Sequence, residues 1–86
     1  MSDNIYLTEA AVLRLLSQPE AKALSQEEFR DVEDLVWTAL SGDNHMNITT
    51  AKRRIARIVN LVDESKQAGL RQVLLSALDI STRDHN

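Results

Sequence analysis

The sequence predicts a single, small all-α domain, and three observations support this fold class. Apolar residues recur at helical spacing in four segments, capping side chains precede three of them, and no segment alternates as a strand does. The chain has 86 residues, 43% of them apolar, which suits one globular domain and not a disordered chain. We expect three to four short amphipathic helices, with an ordered core over about 8–80 and frayed ends at 1–6 and 81–86.

Apolar periodicity predicts helices over roughly 9–17, 26–41, 50–63 and 66–80. The side chains that can cap their starts are Thr8, Ser25 with Glu28 as a capping box, and Thr49 or Asn47. The first helix ends at Gln18-Pro19, because proline disfavours helical geometry in the residue before it. The second ends at Ser41-Gly42, since glycine is a common helix terminator, and a polar turn over 43–47 follows.

A break near Asp63–Ser65 separates the last two predicted helices. In one straight helix, at about 100° per residue, their apolar stripes would lie a quarter to a third of a turn apart. Such a helix would bury both stripes poorly. Gly69 is the alternative position for the break, because glycine weakens a helix by up to about 1 kcal/mol. The predicted apolar face of the third helix comprises Ile48, Ala51, Ile55, Ile58, Val59 and Val62.

No feature of the sequence points to catalysis, a cofactor or a metal ion. There is no cysteine, and His45 and His85 have no neighbouring carboxylate in a zinc-ligand or triad pattern. The two glycines stand alone, unlike a phosphate-binding loop. The acidic cluster of the second helix lacks calcium-loop spacing and is interpreted as a solvated face. We therefore expect a non-enzymatic protein without catalytic, cofactor-binding or metal-binding residues.

The composition predicts a cytoplasmic protein that forms a homodimer. No apolar run is long enough to span a membrane, and the first residues do not resemble a secretory signal. The lack of cysteine fits a reducing compartment. Aromatic residues make up only 3% of the chain, so aliphatic side chains must fill the core. Small domains with thin cores often gain stability by association.

Charge is distributed unevenly along the chain. The net charge of -3 combines nine acidic and three basic residues before position 44 with four acidic and seven basic residues after it. The third helix carries a basic run: Lys52, Arg53, Arg54 and Arg57. Like charges one turn apart repel, so helix stability does not explain this run. Two interpretations stay open: a ridge that binds nucleic-acid phosphate or an acidic protein, and pairing with the acidic second helix, within the chain or across a dimer.

Trp37 is a second candidate contact residue. It lies at the edge of the apolar stripe of the second helix, where a tryptophan can meet a partner subunit or pack under the first helix. A helix-turn-helix DNA reader is not expected. The connection from Gly42 to Ile48 is longer than the turn of about three or four residues which that motif requires.

Four short stretches carry a family resemblance: Leu40-Ser41-Gly42-Asp43-Asn44, Asn47-Ile48-Thr49, Leu61-Val62-Asp63-Glu64-Ser65, and Leu70-Arg71-Gln72-Val73-Leu74 followed by Leu78. In this order, and over roughly 8–80, the chain resembles the YmgB/AriR family of small enterobacterial regulators, also called two-component-system connector proteins. The basic run is a departure, because a more apolar helix is expected there in that family. No functional residues of the family are therefore carried over.

The resemblance implies an all-α fold that dimerises through its helices. It also implies a role in biofilm formation and acid or stress resistance, through protein–protein contacts with an Rcs-type phosphorelay. The alternative is a nucleic-acid-associated regulator that uses the basic helix 52–57. A third hypothesis, an inhibitor whose acidic half mimics nucleic acid, is weakened by the basic half of the chain.

Overall fold

The computed structural model describes residues 7–41 and 46–84, and these residues are helical with no strand. The helices are α1 (Glu9–Leu16), α2 (Pro19–Lys22), α3 (Gln26–Leu35), α4 (Ile48–Val59) and α5 (Glu64–Asp84), and α3 continues as a π-helical segment (Val36–Ser41). The all-α prediction is confirmed. In the described ranges, no helix is long and apolar enough to cross a membrane.

Two of the predicted caps form the starts of α1 and α4. The Thr8 hydroxyl accepts a hydrogen bond from the Ala11 backbone N–H at 3.1 Å. The Asn47 side chain accepts one from the Thr50 N–H at 2.8 Å, so Asn47 is the cap of α4. Each cap satisfies one of the backbone donors that a helix leaves free in its first turn. The helix starts were therefore readable from local sequence.

Pro19 begins a helix as well as ending one. The first helix ends at Leu16, and Pro19 then occupies the first position of α2. This position suits proline, because its fixed φ is helical and its missing N–H would have no partner there. At four residues α2 is too short to show an apolar period, and the sequence did not predict it. It places Ala21 in the core.

The end of the π-helical segment is held by distant groups. The Leu7 N–H donates to the Leu40 carbonyl at 2.9 Å, and the Arg54 guanidinium donates to the Ala39 carbonyl at 3.0 Å. These donors satisfy carbonyls that a helix leaves unpaired in its last turn. The predicted stop at Gly42 lies outside the described residues. In the predicted polar turn over 43–47, Met46 is buried and belongs to the core.

The predicted break near Asp63–Ser65 is confirmed. A turn separates α4 from α5, and the Asp63 side chain accepts a hydrogen bond from the Ser65 N–H at 3.1 Å. Hydrogen bonds from Ser65 hold the pKa of Asp63 below its usual value. Gly69 lies inside α5, where a Cβ would come within 3.2 Å of the Glu20 Cγ, so glycine there allows α5 to pass close to α2. The last helix extends to Asp84, beyond its predicted end at residue 80.

One aliphatic core draws its residues from α1, α3, the π-helical segment, α4, α5 and the connections between them. Its buried residues are Leu7, Val12, Leu15, Leu16, Leu24, Val32, Val36, Leu40, Met46, Ala51, Ile55, Ile58, Val59, Val62, Leu70, Leu74 and Leu78. No described aromatic side chain is fully buried: Phe29 and Trp37 are partly buried and pack against the core. Ile48 departs from its predicted place in the α4 stripe, since it lies in the first turn of the helix and is exposed.

Candidate functional site

The basic run of α4 divides into two parts. Lys52, Arg53 and Arg57 are exposed, and we call these three residues the basic ridge. Arg54 is half-buried, and its guanidinium donates to the Ala39 carbonyl at 3.0 Å and approaches the Met46 sulfur at 3.8 Å. Of the four cations predicted to bind a partner, Arg54 therefore serves to hold α4 against the π-helical segment.

Helical geometry explains this division. Ala51, Ile55, Ile58 and Val59 form the buried face of α4, and Arg53 and Arg57 lie on the opposite face, one turn apart. Arg54 flanks the buried face, so its long side chain can reach the end of the neighbouring helix while its stem packs on apolar surface. A helix that is anchored on one face holds the ridge in a fixed position on the other.

The ridge is not neutralised by the acidic helix beside it. Among the side chains that the structure describes (7–41 and 46–79), no carboxylate forms a salt bridge within 4.0 Å of Lys52, Arg53 or Arg57. The carboxylates of Glu27 and Asp31 on α3 are exposed in their turn. Pairing between these two helices within one chain is therefore not formed by the described side chains, and contact of the ridge with a partner or a second copy stays a prediction.

Glu28 is the acidic side chain that the fold uses. One carboxylate oxygen accepts hydrogen bonds from the Ser25 N–H and the Lys66 ammonium, both at 2.8 Å, and the other accepts from the Asp63 N–H at 2.8 Å. The Ser25 hydroxyl completes the predicted capping box by accepting from the Glu28 N–H at 3.1 Å. The start of α3 is thereby fastened to the turn before α5.

These donors change the acidity of Glu28. The Lys66 ammonium, followed by the backbone N–H groups of Ser25 and Asp63, lowers the pKa of Glu28 from 4.5 to about 2. The capping box was visible in the sequence. The contacts to Asp63 and Lys66 were not, because they join residues 35 and 38 positions apart.

Trp37 lies in the π-helical segment and is half-buried against the core. The same segment contacts α1 and α4. This placement agrees with packing inside the chain, while the outer part of the indole remains accessible. Trp37 and the basic ridge lie on neighbouring elements, and no described contact joins them into one site.

Two surfaces beside α5 were not predicted. A groove of about 280 Å³ lies between α1 and α5, with apolar Ala11, Leu15, Val73 and Ala77 in its lining. The second surface is nearly flat and lies on one face of α5 alone. We call the second surface the outer face of α5, and its residues are Ala68, Arg71, Gln72, Leu75, Ser76 and Asp79.

In the described part of the chain, no group of three or more His, Cys, Asp or Glu side chains could hold a metal ion. His45 and His85 lie outside the described residues.

Comparison with known proteins identifies no relative of this chain. No protein-family model matches the chain, and no curated protein or solved structure shows significant similarity to it. The resemblance to the YmgB/AriR family rests on the sequence motifs alone, and function has to be argued from the surfaces of the chain.

Proposed function

We propose that this chain is a non-enzymatic regulatory protein that binds another protein through the basic ridge. The observation that carries the proposal is the exposure of Lys52, Arg53 and Arg57 without a carboxylate partner in the described residues. Arginine is enriched at protein interfaces, and its planar guanidinium can bind a carboxylate with two parallel hydrogen bonds.

The position of the ridge supports a specific contact over a diffuse one. The ridge projects from a helix whose opposite face is buried and whose Arg54 side chain is tied to the neighbouring helix end. A ridge fixed in this way loses little further freedom when a partner binds. The acidic α3 lies beside it, so the two helices together present a dipolar surface that would orient an approaching partner.

The narrower role that we propose is modulation of an Rcs-type phosphorelay in the cytoplasm, with effects on biofilm formation and on acid or stress resistance. This part of the proposal is supported by the family resemblance of the sequence alone. Self-association as a homodimer belongs to the same proposal and is supported by the aliphatic core and by exposed leucines such as Leu13 and Leu75.

A nucleic-acid-associated role is the second candidate, and the same exposed cations favour it. Three phosphate contacts would make the logarithm of the DNA-binding constant fall with the logarithm of the salt concentration, with a slope of about -3. The overall charge of -3 opposes binding of a polyanion, and we therefore rank this role below protein binding.

A paired charge reversal tests both roles. Arg53→Glu/Arg57→Glu reverses the ridge, and Lys22→Glu/Arg30→Glu makes the same change in net charge at exposed residues elsewhere. Each protein is titrated against purified phosphorelay proteins and against duplex DNA at several salt concentrations. We expect the ridge variant to lose about tenfold or more in affinity for a phosphorelay protein, which is about 1.4 kcal/mol, and the control to bind as the parent does.

Three other outcomes would change the assignment. Salt-dependent DNA binding that only the ridge variant loses would establish the second candidate. Equal losses in both variants would show that total charge matters and the ridge does not. If the parent binds none of the phosphorelay proteins, the phosphorelay role is contradicted.

A further inference from the structure

The outer face of α5 has the residue pattern of a self-complementary helix seam. We propose that two copies of this chain dimerise by antiparallel pairing of their α5 helices about Leu75. The inference deepens the self-association in the proposed function, because it names the surface, the direction of pairing and the contacts that select it.

Two adjacent leucines show that α5 has two distinct faces. Leu74 is fully buried in the core of its own chain, together with Leu70 and Leu78. Leu75 points the other way and is 37% exposed. The core therefore uses one stripe of the helix and leaves a large apolar side chain, Leu75, partly exposed on another.

The residues of the outer face of α5 are spaced as in helices that pack with the side chains of one between those of the other. Its six residues form two successive sets with i, i+3, i+4, i+7 spacing: Ala68, Arg71, Gln72 and Leu75, followed by Gln72, Leu75, Ser76 and Asp79. A set of four residues with this spacing is the hole that accepts one side chain of a facing helix. Ala68 and Ser76 have small side chains, so the same face of a second copy can approach Leu75 closely.

The charges on this face select an antiparallel pair. Arg71 precedes Leu75 by four residues, and Asp79 follows it by four. A two-fold axis at Leu75 therefore places each Arg71 opposite the partner's Asp79, and symmetry gives two such pairs. A parallel pair in register would instead place like charges together at both positions, which is unfavourable. Asp79 also interacts within its own chain, but a carboxylate has acceptor sites for more than one donor.

The size of the surface predicts a weak dimer. Stable interfaces bury about 1,200–2,000 Å² in total, and one pair of helices with a single large apolar residue per chain offers less than that. We expect a dissociation constant on the order of micromolar, corresponding to about 8 kcal/mol. The groove between α1 and α5 adjoins this face through Gln72 and Ser76, so a paired helix also covers one edge of that groove.

Sedimentation of the full chain tests the seam. The parent is measured from about 1 μM to about 1 mM, a range that brackets a micromolar dissociation constant. Leu75→Asp is expected to be monomeric throughout. Leu61→Asp is the matched control, because Leu61 is also an exposed leucine, at 41%, and lies outside this face in the turn before α5. It is expected to dimerise as the parent does, and circular dichroism checks that both variants fold.

Charge reversal tests the direction of pairing. Arg71→Asp and Asp79→Arg are each expected to weaken the homodimer, because each places like charges opposite one another. An equimolar mixture of the two single variants restores both opposite-charge pairs, and so does the double variant on one chain. Both are expected to dimerise more tightly than either single variant alone.

The outcomes separate this inference from the proposed function. A parent that is monomeric at about 1 mM overturns self-association altogether, since any dissociation constant would then exceed the millimolar range. It would leave the outer face of α5 for a different protein. A dimer that persists in Leu75→Asp overturns the seam and leaves the homodimer standing. Failure of the mixture to restore dimerisation overturns the antiparallel arrangement, and none of these results bears on ligand binding by the basic ridge.

Discussion

The helices α3 and α4 are neighbours of opposite charge. Between Gln26 and Leu35, α3 carries five carboxylates and one arginine, and between Ile48 and Val59, α4 carries four cations and no carboxylate. In each helix one charged residue makes contacts that hold the fold together, Glu28 in α3 and Arg54 in α4. The exposed residues of the basic ridge have no such role and are available to a partner.

The sign of each charge matches the helix end that it contacts. Glu28 accepts hydrogen bonds from N–H groups at the start of α3 and just before α5. Arg54 donates to a carbonyl near the end of the π-helical segment. Helix starts present free N–H groups and helix ends present free carbonyls, so an anion suits the first and a cation the second. In these two helices, the charged side chains that stabilise the fold are therefore the ones that contact a helix terminus.

Among the substitutions considered, loss of the Arg54 cation should lower the free energy of unfolding the most. Arg54→Met leaves the Ala39 carbonyl without its side-chain donor in a partly buried setting and is expected to lower the free energy of unfolding by about 1–3 kcal/mol. Arg53→Met, one residue away on the exposed face, should change it by less than about 0.5 kcal/mol. Urea denaturation measures both. Equal losses would mean that Arg54 has no special structural role.

Neutralising the Glu28 carboxylate should lower the free energy of unfolding by less, and the loss should depend on pH. Because the pKa of Glu28 is lowered from 4.5 to about 2, its charge adds stability that is fully present above pH 4.5 and is lost as the pH falls through 2. Glu28→Gln keeps one acceptor oxygen and loses the charge. We expect it to be less stable than the parent at pH 7, with the difference shrinking between pH 4.5 and 2.

The control for this experiment is Glu27→Gln, at an exposed carboxylate in the same helical turn. Its unfolding midpoint in urea should follow that of the parent across the same pH range. A difference between Glu28→Gln and the parent that stays constant with pH would contradict the role of the charge.

Removing a helix cap should lower the free energy of unfolding the least, and the loss should be similar for α3 and α4. Ser25→Ala and Asn47→Ala each remove one hydrogen bond to a free backbone N–H and are expected to cost about 1 kcal/mol. Thr49, the alternative cap from the sequence, lies inside α4, so Thr49→Ala should be close to neutral. Thermal unfolding of the three variants distinguishes the caps. A larger loss for Thr49→Ala than for Asn47→Ala would contradict the observed start of α4.

Local signals predicted much of the fold. The Thr8 cap and the Ser25–Glu28 capping box depend on residues within one turn of each other, and the break near Asp63–Ser65 depends on the offset between two apolar stripes. All three were readable from spacing. The short helix α2 and the burial of Met46 were not, because neither belongs to a repeating apolar pattern. The π-helical segment continues the predicted helix 26–41 with a change of hydrogen bonding that has no distinctive residue pattern.

The candidate surfaces were predicted only in part. Helical spacing placed Arg53 and Arg57 opposite the apolar face, and the structure agrees. It could not assign Arg54, whose acceptor on Ala39 is 15 residues away. The outer face of α5 had a usable signal, since adjacent Leu74 and Leu75 must point to different sides of one helix. Which of the two the core would bury depended on how α5 packs.

The amino-acid sequence was sufficient for the all-α class, the helix starts at Thr8 and Ser25, and the uneven distribution of charge, and for α4 it left Asn47 and Thr49 as alternative caps. Periodicity, capping and charge are properties of residues close together in the chain, and they act before any packing occurs. The tertiary structure decided which charges serve the fold and which remain exposed. It did so because a helix terminus, with its unpaired N–H or carbonyl groups, reaches the side chain of a distant residue only after the helices have packed.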